Sequence, residues 1–308
     1  MTEIETHVQD YLDYCEYQKK LDPKTMKAYR IDFKQFLEFV QKRDSEINKA
    51  GLSSYLEQLH KDYQPRTVKR KIACVKALFN YLEFEEIIEE NPFNKMKIKF
   101  KEPLVLPRVI PISIVEEFFD NVYKELDREP LTSFQQMVIQ RDIAVLELLF
   151  ATGARISELC CLHKENLNLV EGYVKIYGKG NKERMIQIVN PDVLLALVNY
   201  KKSSMKRSSE NDYFFTNRLN KRLSEQSVRD MIKRYVEKYT IQMKITPHMW
   251  RHSVASMLMD EDVNIRYIQA LLGHSTIVTT EKYTHVTLKK QKSILEVKHP
   301  RNKLMIRT

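Results

Sequence analysis

The stretch Tyr173-Val174-Lys175-Ile176-Tyr177-Gly178-Lys179-Gly180-Asn181-Lys182-Glu183-Arg184-Met185-Ile186-Gln187-Ile188 is where the chain changes its period. Tyr173, Val174, Ile176 and Tyr177 surround Lys175, and a second alternating run follows in Met185, Ile186 and Ile188. Side chains that alternate with period two belong to a strand. Two such runs joined by a glycine-bearing connection read as a β-hairpin with Lys179 at its tip.

Outward from this hairpin the period is helical. Towards the N-terminus, from Ile4 to about Glu90, apolar residues recur at spacings of three and four. One series is Tyr29, Phe33, Phe36, Leu37 and Val40, and another is Val68, Ile72, Val75, Leu78, Phe79 and Leu82. Pro23, the pair Ser53–Ser54 and Pro65 fall between runs and are expected as helix boundaries, with Pro65 and Thr67 opening the strongest helix. Helical patterns return after Asp192 and continue to the end. Thr246 and Pro247 supply an N-cap and a first-turn proline for the segment His248-Met249-Trp250-Arg251-His252. The expected fold class is therefore mainly α with a small β-sheet.

Four prolines (Pro92, Pro103, Pro107, Pro111) and the basic residues Lys95, Lys97, Lys99 and Lys101 mark an extended connector. The alternation of Lys97 and Lys99 with Ile98 and Phe100 also fits a short strand. These lysines suit either a solvated linker or contact with a phosphate backbone. Residues 1–94 are expected as an N-terminal helical domain, 95–107 as a basic linker and 108–308 as a second domain with a C-terminal tail. The polar segment Lys124–Gln140 has no readable role.

A chain of 308 residues, 43% hydrophobic, can bury two cores. Its formal net charge of +10, mixed with 41 acidic residues, favours a polyanionic partner without selecting DNA over RNA or a membrane surface. The four cysteines (Cys15, Cys74, Cys160, Cys161) include an adjacent pair ill suited to a disulfide and form no C-x-x-C, which fits a reducing compartment and argues against zinc. Met1–Asp10 is polar and acidic, unlike a signal peptide, and no apolar run approaches membrane-spanning length. A soluble, cytoplasmic protein without membrane insertion is expected.

His248 and Arg251, three apart on a helix near its positive N-terminus, form a possible phosphate clamp. His252 adds an H-x-x-x-H spacing, but Met249 stands where a zinc protease helix has glutamate, so neither a metal nor any other cofactor is expected. Trp250, between the clamp residues, is expected to pack on the opposite face. Glu158, one turn beyond Arg155, can pair with it at i,i+3. His163 and His285 are expected to have no chemical role.

In chain order stand Ala151-Thr152-Gly153-Ala154-Arg155-Ile156-Ser157-Glu158-Leu159, Gly178-Lys179-Gly180-Asn181-Lys182-Glu183-Arg184, His248-x-x-Arg251-His252, Leu271-Leu272-Gly273-His274-Ser275 and Tyr283-Thr284-His285-Val286. In these motifs the sequence resembles the tyrosine site-specific recombinases of the phage integrase family, in their Xer-like branch. Lys24-Thr25, Tyr29, Asp32, Phe36 and Phe39, with Asn91-Pro92, resemble that family's core-site-binding domain. The resemblance implies a helical core-binding domain and an α+β catalytic domain closing as a C-shaped clamp on DNA. It implies that Arg155, Lys179, His248, Arg251 and His274 are catalytic and that Tyr283 is the nucleophile.

Chemically, Arg155 and Arg251 would each offer paired hydrogen bonds to the non-bridging phosphate oxygens. His248 would take the Tyr283 proton, Lys179 would give one to the departing 5′ oxygen, and His274 would orient the phosphate. The implied partners are duplex DNA with inverted-repeat core sites and further recombinase protomers, in a homotetramer or a hetero-tetramer with a sister recombinase. The implied task is chromosome-dimer resolution or mobile-element integration and excision through a Holliday junction, with no ATP or metal. A type IB topoisomerase and a catalytically silent DNA-binding regulator are the competing readings. After Tyr283, the series Leu288, Ile294, Leu295 and Val297 suits docking on a neighbouring protomer or packing on its own domain. Docking would let deletion of Lys292–Thr308 spare DNA binding while abolishing assembly.

Overall fold

The computed structural model describes residues 3–43, 47–98, 108–178, 183–205, 211–273 and 288–304. The chain divides into two compact units, Met1–Val105 and Leu106–Thr308.

The first unit is helical, with α1 (Glu3–Asp13), α2 (Pro23–Arg43), α3 (Lys49–Asp62) and α4 (Pro65–Phe84). Pro23 and Pro65 open helices as their fixed φ favours. The Asp22 carboxylate secures the start of α2, accepting the Thr25 backbone N–H at 3.0 Å and its hydroxyl at 2.8 Å. Ser53–Ser54, expected as a boundary, instead lies inside α3. The Ser53 hydroxyl donates to the Lys49 carbonyl at 2.8 Å, which satisfies it within the helix, and the real start is Asn48, whose side chain caps Ala50 and Gly51. Phe33 and Phe36 of α2, Tyr55 of α3 and Val68, Ile72, Val75 and Leu78 of α4 are buried in one core. Asp32 is buried among them with its charge met by Lys71 at 2.9 Å and by Arg70.

The second unit contains α5 (Ile112–Tyr123), α6 (Ser133–Thr152), α7 (Ile156–Cys160), β1 (Leu167–Asn168), β2 (Tyr173–Tyr177), β3 (Glu183–Gln187), α8 (Pro191–Ser204), α9 (Glu225–Lys238), α10 (Pro247–Asp260), α11 (Ile265–Leu272) and α12 (Leu288–Lys298). Among the described residues the strands form one antiparallel sheet in the order β1-β2-β3. The hairpin pairs Val174 with Ile186 and Tyr177 with Glu183. Val174, Ile176, Ile186 and Ile188 turn into the core. The added strand β1 is only two residues long, too short to show an alternating pattern.

The segment Lys124–Gln140 has a role after all. Thr132 and Gln135 form a capping box that starts α6, and Glu125 is buried against Lys238 at 2.6 Å and Tyr239. Helix α6 is buried from Asp142 to Thr152, a central helix packed on every side, with its buried Asp142 and Glu147 paired to Arg141 and Arg301. Trp250 is fully buried and meets Phe118, Phe119 and Phe150 edge-on, with centroids 5.4, 5.6 and 5.7 Å away.

The C-terminal segment packs on its own unit. Leu295 and Leu304 are core residues, while Val297 is 73% exposed. Arg301 is fully buried and grips Glu147 with two nitrogens, at 2.7 and 2.8 Å, and Tyr123 adds its hydroxyl to Glu147 at 2.8 Å. Burial pushes the His299 imidazole down to about 4, so at neutral pH its Nδ1 is free to accept the Arg301 backbone N–H, at 3.1 Å. Deleting Lys292–Thr308 would therefore strip Glu147 of its cation, and the expectation that this truncation spares DNA binding gives way to one of lost stability.

Candidate active site

Helix α11 ends at Gly273, whose φ of +66° is the left-handed cap that glycine adopts most easily. The final carbonyls of a helix have no partner within it and carry the negative end of its dipole. Three arginines converge on them here. Leu271 O accepts from Arg184 Nε at 2.9 Å, Leu272 O from Arg251 Nη2 at 2.5 Å and Gly273 O from Arg155 Nη2 at 3.5 Å.

Arg251 is only 5% exposed, and its other terminal nitrogen donates to Gly153 O at 2.7 Å. Gly153 caps α6 with φ +58°, so Arg251 bridges the C-terminal ends of two helices. Burial lowers its pKa to about 10, aided by Arg155 and Arg184 nearby, yet it stays charged at neutral pH.

Arg155 sits at the N-cap of α7. Its backbone N–H and its Nη1 both donate to Glu158, each at 2.8 Å, which is the i,i+3 pair expected from the sequence. Glu158 also receives Arg184, at 3.2 and 2.6 Å. Burial alone would discourage its charge, but Arg184 and then Arg155 hold its carboxyl below the usual range. Among the described residues, Arg155 and Arg184 thus share one carboxylate, while Arg251 is held by neutral carbonyls. The surplus positive charge suits the site to an anion.

His248 is exposed on the first turn of α10, one turn before Arg251, with Trp250 buried on another side. Thr246 stands at the N-cap, but its side chain makes no capping hydrogen bond. His252 is held below the usual histidine range by partial burial and by His248 and Arg251. Among the described residues no three His, Cys, Asp or Glu side chains gather as a metal site. Arg155, His248 and Arg251 are thus placed; Lys179, His274 and Tyr283 lie outside the described residues.

Sequence reasoning overlooked Arg184. It shares the inward face of β3 with Ile186 and Ile188, two and four residues on, and a charge on the buried face of a strand needs a partner. That was the available signal.

Gly153 predicts its own importance. A Cβ there would lie 2.4 Å from Leu272 Cδ2, and its positive φ disfavours any side chain. Gly153→Ala is expected to cost roughly 2 kcal/mol in denaturant unfolding. An unchanged midpoint would mean that α6 and α11 part readily.

Residues 124–290 match the phage integrase family, and residues 8–86 match its N-terminal SAM-like domain. The chain belongs to the phage integrase family, the tyrosine recombinases. It is 48% identical over 302 residues, 98% of each chain, to a tyrosine recombinase of Agathobacter rectalis. It is 31% identical over 98% of its length to the tyrosine recombinase XerC of Thermodesulfovibrio yellowstonii, covering 99% of that protein. Its fold is similar to that of the XerH site-specific recombinase bound to difH substrate, with a TM-score of 0.67, 18% identity, and coverage of 97% of this chain and 82% of that one. No described helix is long and apolar enough to cross a membrane.

Proposed function

We propose that this protein is a site-specific recombinase that exchanges strands of duplex DNA through a phosphotyrosine at Tyr283 and a Holliday junction. The observation that carries the reading is the convergence of Arg155 and Arg251 on the end of α11, beside His248 on α10. The likeness to XerC over the full chain supports an Xer-like branch.

In this reading the Tyr283 hydroxyl attacks the scissile phosphorus while the bond from phosphorus to the 5′ oxygen breaks. His248 accepts the tyrosine proton, and Lys179 protonates the departing oxygen. Arg155 and Arg251 stabilise the charge that gathers on the non-bridging oxygens, and His274 orients the phosphate. The phosphotyrosine keeps the energy of the broken phosphodiester, so reversal by the partner strand's 5′ hydroxyl needs no ATP. Residues 1–94 and 108–308, joined by the basic linker 95–107, each bind a core site. A homotetramer acts on paired inverted-repeat sites in the cytoplasm, where the chromosome lies.

Covalent capture tests this. Nicked suicide duplexes drawn from a library of core sites are expected to yield denaturant-resistant protein joined to a DNA 3′ end. Adducts on every sequence would point to a topoisomerase, and specific binding without any adduct to a regulator. Lys179 has its own test. Replacing the bridging 5′ oxygen with sulfur makes a leaving group that needs no proton, so Lys179→Ala is expected to cleave that substrate nearly as wild type does. On ordinary DNA the same variant should lose roughly a hundredfold or more. Equal failure on both substrates would reject the acid role.

A further inference from the structure

We propose that Arg184 is a positioning residue for Arg155: by neutralising Glu158, it leaves the Arg155 guanidinium free to turn onto a phosphodiester. The inference rests on the reading that Arg155 grips the scissile phosphate, and it adds a residue which that reading does not use.

Glu158 has two jobs that conflict. Its Oε2 caps the Arg155 backbone N–H at 2.8 Å, which sets the first turn of α7. Its charge also attracts the Arg155 side chain, through Oε1 at 2.8 Å. A carboxylate and a phosphodiester are rival acceptors for the same guanidinium, and in a buried pocket the carboxylate holds on strongly. Arg184 resolves the conflict by spanning both Glu158 oxygens while its Nε holds Leu271 O.

The arrangement is asymmetric in the direction that this needs. The Arg184 side chain is 12% exposed and its contacts with Glu158 are at 3.2 and 2.6 Å, whereas the Arg155 side chain is 36% exposed. Among the described residues, the outer nitrogen of Arg155 is held by Gly273 O at 3.5 Å, at the limit of a hydrogen bond. Arg184 is the fixed partner and Arg155 the loose one. The sheet fixes Arg184 in turn, because β3 pairs Arg184 with Ile176 and so aims it inward towards α7 and α11.

A double variant decides the matter, measured on the full chain with a nicked suicide duplex at saturating DNA. Arg184→Met is expected to slow single-turnover cleavage by roughly a hundredfold, the scale of one lost transition-state donor, with DNA affinity changed less than about threefold. Adding Glu158→Gln removes the rival charge while keeping an acceptor for the Arg155 backbone, and should restore cleavage by about tenfold. A purely structural role predicts that cleavage merely follows melting, lost as the buried Glu158 charge is stranded and recovered as it is removed, so a loss and rescue that vanish at temperatures where every variant is folded would overturn the proposal. Arg184→Lys keeps a buried cation, should lose less, and carries the same comparison with and without Glu158→Gln if the methionine variant folds poorly.

A double variant no faster than Arg184→Met, with unchanged melting, would overturn the proposal. So would a drop in affinity together with a salt slope smaller by about one phosphate contact, because Arg184 would then touch DNA itself. Arg155→Ala separates the two layers. If that variant cleaves as wild type does, the reading of Arg155 has failed; if it is inactive and Glu158→Gln rescues nothing, only the role of Arg184 has failed.

Discussion

Tyr283→Phe is expected to abolish covalent attachment to DNA, by about a thousandfold or more, while leaving specific DNA binding within about twofold of wild type. Phenylalanine keeps the ring but has no oxygen with which to form a bond to phosphorus. Arg155, Arg251 and the other cations stay, and affinity for DNA rests mainly on such cation–phosphate contacts. The measurement is denaturing electrophoresis of both proteins on the same nicked duplex, beside a binding titration at fixed salt. An adduct that persists in the variant would mean that another of the 16 tyrosines is the nucleophile, and peptide mapping of the adduct would identify it. Loss of binding together with cleavage would instead make Tyr283 a folding residue.

Arg301→Met should destabilise the second unit by roughly 3–5 kcal/mol, because it leaves a buried carboxylate without its cation. Glu147 and Arg301 are both fully buried, and after the substitution only the Tyr123 hydroxyl would remain on Glu147 among the contacts described. For a unit of this size the melting temperature should fall by about 10 °C or more. Arg301→Met combined with Glu147→Leu removes both charges and is expected to recover most of the loss, as an apolar pair of similar volume often does. A shift of less than about 2 °C would show that the C-terminal segment is not seated against α6 in solution. That outcome would revive docking of the tail on a neighbouring protomer.

Much of the architecture was legible because it is written in local chemistry. Pro23 and Pro65 opened helices where a fixed φ requires a first turn, and the alternation around Lys175 and Ile186 foretold the hairpin. Trp250 was correctly expected in the core. The Glu158–Arg155 pair was also legible, since i,i+3 spacing places two side chains on one helical face. Ser53–Ser54 misled because serine in a helix can return its hydroxyl to the preceding turn, so residue type alone does not make a boundary. The segment Lys124–Gln140 was opaque because the partners of Glu125, Lys238 and Tyr239, lie more than a hundred residues away.

The candidate site divides in the same manner. Motif order alone singled out Arg155, His248 and Arg251, and family membership follows from the sequence. It could not show that Arg155, Arg184 and Arg251 meet at consecutive carbonyls of α11, nor that Arg184 shares Glu158 with Arg155. Spacing in the chain reports on neighbours within a few residues, whereas these contacts join segments 87, 21, 118 and 26 residues apart. The sequence by itself determined which elements form, because periodicity, proline and glycine act locally, and its motifs supplied the residues proposed to carry chemistry. Only the tertiary structure decided which charges are shared and which are left over for an anion, because burial sets the strength of an ion pair and exists only once distant segments have packed.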